Sequence, residues 1–340
     1  MKLLTFTVPC YNSASYMRKC IDSLLPGGDF VEILIVDDGS AKDNTAEIAD
    51  EYEAKYPGIV RAIHQPNKGH GGAVNTGIAN ATGIYFKVVD SDDWVDGPAY
   101  AKVLDALNKF KEPSEQIDML LANFVYENES ALRKRKMIYR GYFPEGRVFG
   151  WEDTHRLPSD KYLMMHAIFY RTELLRQNNI VLPEHTFYVD NIFVTSGLRY
   201  VKKMYYVDAC FYRYFIGRAD QSVKESNLIK NLGNQFAVTE AIVDMLLDMP
   251  RGTGAKQCDR MILDYCISCI TVCVVFTYRS GSADYAARLM HLWEQIATDQ
   301  KLEKKIHSSA LIKMITIPGE FGKMLASKGY EIYNTINGAN

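Results

Sequence analysis

The chain has 340 residues, 47% of them hydrophobic and 24% charged, with a formal net charge of −2. That length is enough for about two domains of ~150 residues, each able to bury a core. The near-neutral balance excludes the bulk cationic attraction on which nucleic-acid binders rely.

The opening MKLLTFTVPCYN turns polar too early for the apolar core of a signal peptide, so a cytoplasmic location is expected. Residues Lys2–Val8 and Val31–Asp38 are short runs rich in β-branched residues, and between them SASYMRKCIDSLL has helical periodicity behind a serine N-cap candidate. This is a βαβ unit and predicts a parallel sheet. Gly58–Gln65 reads as a third strand, Gly71–Thr82 as a helix, and GIYFKVVD as a fourth strand ending at Asp90. A polar cluster follows three of these strands: Pro9–Asn12, Asp37–Ser40 and Asp90–Asp93. In open α/β sheets ligands bind outside the carboxyl ends of the strands, so these clusters are expected to line one pocket.

The third cluster, Asp-Ser-Asp-Asp, concentrates charge that repels itself unless something positive sits within it. Oxygen ligands on a short acidic turn suit a hard divalent cation, Mg²⁺ or Mn²⁺, shared with substrate phosphates. An EF-hand loop starting at Asp90 is ruled out, because Trp94 and Val95 stand where a ligand and the turn glycine belong. Asp93 is also a candidate cap for a helix over Pro98–Phe110.

From about Ser226 the pattern becomes long and helical, with breaks at Pro250-Arg251-Gly252 and Ser280-Gly281-Ser282. Cys266, Cys269 and Cys273 have the spacing of one helix face, and seven cysteines make an odd count for a disulfide framework. The apolar run Tyr265–Tyr278, about 14 residues, is shorter than the ~20 that span a bilayer. KKIHSSALIKMITI mixes basic and apolar residues, as an interfacial helix does, although core packing is the more usual role of such a stretch.

The stretches TFTVPCYN, EILIVDDGSAKDNT, NKGHGGAVNTGIANATGIYFKVVDSDDW and YVDNIFV, in this order and spacing, resemble family 2 glycosyltransferases over about the first 220 residues. The resemblance implies an α/β fold of the GT-A (Rossmann-like) type, with a mixed, mostly parallel sheet and flanking helices over residues 1–222. A helical C-terminal domain, 223–340, lies beyond it, for acceptor recognition, oligomerisation such as a homodimer, or contact with the inner face of the cell membrane. It further implies inverting transfer of a sugar from a nucleotide-sugar donor to a hydroxyl of a glycan, lipid-linked or protein-linked acceptor, as in cell-surface polysaccharide synthesis, assisted by Mn²⁺ or Mg²⁺.

By similarity, Pro9, Tyr11 and Asn12 line the nucleobase and ribose pocket, and Asp38 accepts a hydrogen bond from the base, which favours uracil. Gly71, Gly72 and Asn75 pass near the nucleotide, Asp90 faces the ribose or diphosphate, and Asp92 of the D-x-D motif holds the cation. Asp190 is the expected base that takes the acceptor's proton. His166 and His185 are candidates for the acceptor side, and Arg213 and Arg218 for phosphate contacts. Two departures stand out: Ala73-Val74-Asn75 lacks the arginine many relatives carry, with Lys68 or His70 as substitutes, and Val189 replaces an acidic residue before Asp190. Two other readings remain open, a non-catalytic nucleotide- or sugar-binding module and a haloacid-dehalogenase-type phosphatase with D-x-D after an apolar strand.

Overall fold

The computed structural model describes residues 1–128, 134–158, 161–216, 225–249 and 255–317, together with 319 and 324. The chain divides into two compact units, Met1–Phe215 and Ile216–Asn340.

In the first unit the chain runs β1 (Leu4–Cys10), α1 (Met17–Leu24), β2 (Val31–Asp37), α2 (Thr45–Lys55), β3 (Val60–His64), α3 (Gly69–Asn80) and β4 (Tyr85–Val88). It continues β5 (Trp94–Val95), α4 (Gly97–Asn108), β6 (Met119–Glu127), β7 (Arg135–Met137), β8 (Val148–Phe149), β9 (Ile168–Arg171), α5 (Thr172–Gln177), α6 (Asp190–Leu198) and β10 (Met204–Phe215). Among the described residues, one mixed sheet of ten strands has the order β3-β2-β1-β4-β9-β6-β10-β5, with β7 on β6 and β8 on β10. Every residue of β1 and β2 is buried, which explains why these strands read as nearly unbroken apolar runs.

Register places the polar clusters. β1 runs parallel to both neighbours, with Cys10 opposite Asp37 on β2 and Thr7 opposite Val88 on β4, so the loops after all three strands leave at one edge. β9 is antiparallel to β4, pairing Arg171 with Tyr85, and therefore begins at the edge where β4 ends. The 3₁₀ turn Met165–Ala167 just before β9 is thereby delivered beside the loop that carries Asp90.

Two expected caps are corrected. Helix α1 begins after Tyr16 and has no side-chain cap, and α4 is capped by Asp96, whose carboxylate accepts from the Ala99 amide at 3.1 Å, not by Asp93.

The second unit is helical: α7 (Glu225–Lys230), α8 (Leu232–Asp248), α9 (Lys256–Ser280), α10 (Ala283–Ala297), α11 (Gln300–Ser308) and α12 (Ala310–Ile315). Gly281, at φ 61°, ends α9 as expected of that break, whereas the break at Pro250-Arg251-Gly252 lies outside the described residues. Helix α9 buries Cys266, Cys269 and Cys273 on one face, with the Cys273 thiol 3.3 Å from the Thr239 hydroxyl of α8. At 25 residues it is longer than its apolar run suggested and could cross a bilayer by length and composition alone; 67% of its apolar window is buried within the protein, as in a core helix. The basic and apolar stretch 304–317 is split at Ser309 into two helices that bury Ile306, Ile312 and Ile315 and leave Leu311 and Met314 exposed.

Helix α3 lies close on β1 because its small residues let it. A Cβ on Gly77 would stand 2.2 Å from the Thr7 hydroxyl and 2.4 Å from its methyl. Gly77→Ala gains about 1 kcal/mol of helix propensity but overpacks a buried strand contact at a cost of about 1–3 kcal/mol. Urea denaturation of Gly77→Ala should therefore show a net loss of stability, and adding Thr7→Ala should recover it. A more stable Gly77→Ala single variant would refute the close contact.

Candidate active site

The three loops at the sheet edge are tied to one another. Asn12, in a left-handed conformation (φ 49°), donates its amide to Ser40 Oγ at 2.9 Å, and its side-chain oxygen accepts from the amides of Ala41 and Lys42 at 3.3 and 3.0 Å. Ser13 Oγ is 2.8 Å from Ser91 Oγ, which joins the first loop to the acidic turn. Pro9 is buried within β1, and Tyr11 beyond it stands 51% exposed. Asp38 is buried; its Oδ1 accepts from Gln65 Nε2 at 2.6 Å and from the Lys68 amide at 2.8 Å, while no described hydrogen bond uses Oδ2.

The acidic turn meets the positive groups that its charge demands. Asp90 Oδ1 lies 2.8 Å from His70 Nε2, at the start of α3, and Oδ2 lies 3.6 Å from His166 Nε2. Burial alone would push the Asp90 carboxyl up, but the two imidazoles outweigh it and hold it well below the usual range. At His70 burial is outweighed by the same hydrogen bond together with the charges of Asp90, Asp190 and Asp92, which raise its pKa. Of the two substitutes weighed for the absent arginine, His70 is the one in the cluster; Lys68 pairs at 3.3 Å with Glu184.

His166 is 4% exposed, with Tyr212 and Tyr214 rings at 4.5 and 4.4 Å; Asp90 Oδ2, 3.6 Å from Nε2, is the nearest described carboxylate oxygen, and no described group is within hydrogen-bond reach of either ring nitrogen. Burial pushes its pKa down against the pull of Asp90, which favours the neutral imidazole that ligates metals. Asp90, Asp93 and His166 offer ligand atoms within 4.8 Å of one another. Of these, Asp93 has both oxygens engaged, Oδ2 by the Tyr212 hydroxyl at 2.6 Å and Oδ1 by the Phe215 amide at 2.7 Å, and burial with the charges of Asp92 and Asp90 pushes its pKa up. Asp93 therefore ties the turn to β10, a role that its place three residues before Asp96 did not reveal. Asp92 is part-buried on the same turn, and its charge acts on His70 and Asp93.

Asp190 opens α6 as its first residue, behind Val189 at the N-cap position, and its Oδ1 accepts from Asn191 Nδ2 at 3.4 Å. It belongs to the same electrostatic cluster: burial raises its pKa, His166 and His70 draw it down, and Asp90 raises it again. Val189 is 2% exposed, so the position where relatives carry an acid is here a packed apolar one.

Other expected site residues have different partners. Asn75 grips the backbone of Leu182 with both ends of its amide, at 2.8 and 2.9 Å, and a Cβ on Gly71 would meet the Pro183 carbonyl at 2.3 Å. Gly72 is closed off by the Lys68 side chain, 2.3 Å from where its Cβ would be. His185 is exposed at a left-handed turn (φ 50°), its amide bound to the Lys68 carbonyl at 2.8 Å. Gly71, Asn75 and the Lys68 carbonyl thus hold the 182–185 segment, which leads to Asp190. Arg213 is corrected: strand alternation turns it away from the face on which Tyr212 and Tyr214 meet His166, and it pairs instead with Asp96 at 2.6 Å and Glu127 at 2.9 Å. Arg218 lies outside the described residues.

Sequence reasoning also passed over Lys87, which is fully buried in β4 with Nζ 2.6 Å from the Met165 carbonyl oxygen and 2.9 Å from that of His166. Burial pushes its pKa down to about 7, against the pull of Asp90 and Asp93. A lysine inside the apolar run YFKVV was the available signal.

Comparison with known proteins agrees with this architecture. The model of glycosyl transferase family 2 matches residues 5–171. The chain is 29% identical over 220 residues to the uncharacterized glycosyltransferase EpsJ of Bacillus subtilis, a match covering 62% of this chain and 60% of EpsJ, less than two thirds of that protein's length. Among solved structures, residues 1–349 of S. aureus TarS in complex with UDP-GlcNAc superpose with a TM-score of 0.68 at 16% identity, over 98% of this chain and 92% of that one. The mannosyltransferase PcManGT from Pyrobaculum calidifontis, in complex with GDP-Man and Mn²⁺, gives 0.50 at 14% identity over 97% and 87%. Residues 5–171 thus form a family 2 glycosyltransferase domain, with the GT-A fold.

Replacing Asn75 by Ala leaves the Leu182 amide and carbonyl without their partners. Net losses of about 1–3 kcal/mol accompany part-buried backbone groups deprived in this way. Urea denaturation of Asn75→Ala should show a loss in that range; a change within about 0.5 kcal/mol would mean that water replaces the amide and that the clamp is incidental.

Proposed function

We propose that the protein is an inverting glycosyltransferase that moves a sugar from a UDP-sugar to an acceptor hydroxyl with the help of a divalent cation. The observation that carries this reading is the grouping of Asp90 with His166, a buried imidazole with no described group within hydrogen-bond reach of either nitrogen, beside a part-buried Asp190. A buried ring without partners is costly unless a ligand completes it. A mixed carboxylate and imidazole donor set fits Mn²⁺ better than Mg²⁺, which prefers oxygen alone. Asp90 and His166 have unspent donor capacity, Asp92 stands on the same turn, and the Mn²⁺ in the PcManGT structure supports the choice of metal. When bound, such a cation neutralises the charge of the leaving diphosphate as a Lewis acid.

The chain's own residues account for the remaining requirements. Tyr11 offers an exposed ring at the end of β1 on which a base can stack, and Asp38 Oδ2 is an acceptor for an imide N–H such as that of uracil. The UDP-GlcNAc complex of TarS supports uridine, whereas the GDP-Man complex of PcManGT shows that the fold accepts another base, so the base preference rests on Asp38. His70, bound to Asp90 at the amino end of α3, is placed to steady negative charge where the arginine of many relatives is missing. Asp190 takes the proton of the acceptor hydroxyl. Its pKa, raised by burial, makes the carboxylate a stronger base.

Incubation with a panel of nucleotide sugars, with and without Mn²⁺, should reveal slow donor hydrolysis for a UDP-sugar only when Mn²⁺ is present. Uridine diphosphate should outcompete guanosine and adenosine diphosphates, and Asp38→Ala should blunt that preference. Absence of binding to every nucleotide diphosphate would overturn the reading in favour of a different ligand.

Removal of the base should lower turnover by about 10²- to 10⁴-fold while leaving donor affinity near its original value. Transfer rate and UDP-sugar affinity of Asp190→Asn, at an unchanged melting temperature, test this directly. Because the base acts when ionised and its pKa is raised, kcat/KM should begin to fall, as pH is lowered, above the ordinary carboxylate range, and Asp190→Asn should abolish that limb. A surviving rate, or a collapse of donor affinity instead, would assign the base elsewhere.

A further inference from the structure

Strand β4 reads Tyr85-Phe86-Lys87-Val88, and all four residues are buried. A residue needed there only to fill space would be apolar, since an ammonium withdrawn from water costs several kcal/mol unless it is well partnered. Lys87 is partnered in one direction. Its Nζ donates to the carbonyls of Met165 and His166, at 2.6 and 2.9 Å, with the rings of Tyr212 and Phe169 at 4.9 and 5.2 Å. The carbonyls it binds belong to the turn Met165–Ala167, where ladder pairing has not yet begun: β9 first pairs at Ile168, opposite Leu121. The Met165 carbonyl also accepts from the Ile168 amide within the turn, whereas the buried His166 carbonyl takes its donor from Lys87.

Two constraints then define where the His166 imidazole points. The rings of Tyr212 and Tyr214 hold its plane, and Lys87 fixes the backbone from which it projects, leaving Nε2 3.6 Å from Asp90 and 3.9 Å from Asp93. We propose that Lys87 is a positioning residue that aims His166 at the acidic turn by clamping the Met165 and His166 carbonyls. The proposal deepens the cation reading above and rests on it for its functional consequence. Groups that orient a metal's ligands are worth about 10- to 100-fold in metal affinity.

The positioning is read first without any cation. In the proton NMR spectrum the His166 Hε1 resonance, assigned by its loss in His166→Ala, should carry a ring-current shift from the tyrosine stack, and folded Lys87→Met should lose it. An unchanged resonance in Lys87→Met overturns the proposal. Mn²⁺ affinity in the presence of uridine diphosphate is read second, by electron paramagnetic resonance. Lys87→Met should weaken it at least about tenfold, yet add no further loss to His166→Ala. Losses that add would mean that Lys87 acts otherwise than through His166. Were the unaltered protein to bind no Mn²⁺, the cation reading would fail while the NMR measurement still decided the positioning. Should Lys87→Met not fold, Lys87→Gln, a neutral group of shorter reach, takes its place with the same outcomes.

Discussion

Several carboxylates cannot share one end of a sheet unless cations and donors answer them, and much of the first unit is arranged around that constraint. At about 4 Å two like charges repel by roughly 4 kcal/mol near a protein surface, and by more where water is excluded. The answering groups come from separate parts of the chain: His70 from α3, His166 from the turn before β9, and Tyr212 and the Phe215 amide from β10. Lys87 lies beneath them on β4. Only the packed sheet brings these segments to a common edge.

The resulting site separates two kinds of carboxylate. Asp90 is held ionised by its imidazoles, whereas Asp93 has its pKa pushed up by burial and spends both oxygens on the frame. Asp190 lies between these extremes, raised by burial yet drawn down by His166 and His70. Neighbouring aspartates on one turn thus serve different ends because their surroundings differ. The helix α3 has a similar double use: its glycines allow it to lie against β1 and the 182–183 backbone, and its first turn presents His70.

Local features were legible where local physics decides them. Strands β1 and β2 are buried on every residue, so their apolar runs marked them to within a few residues, and the fall of polar clusters just past strand ends located the edge where those clusters meet. The order of the four motifs then identified the family. Capping was less legible. Asp93 and Asp96 both precede α4, and nothing local says that Asp93 is claimed by Tyr212 and Phe215, 119 and 122 positions away. The same holds for Arg213, a plausible phosphate contact by residue type, which strand alternation turns to the opposite face toward Asp96 and Glu127.

The sequence by itself determined the α/β succession, the acidic turn and its edge of the sheet, because hydrophobic periodicity and strand termini are properties of short segments. Tertiary structure alone decided which of the charged residues meet. His166 was one histidine among seven until antiparallel β9 set its turn beside β4, and Lys87 was an anomaly in an apolar run until its ammonium found that turn. The physical reason is that a charge is made tolerable, and useful, by partners distant in the chain, and their approach depends on register, strand order and burial, which no short window of residues contains.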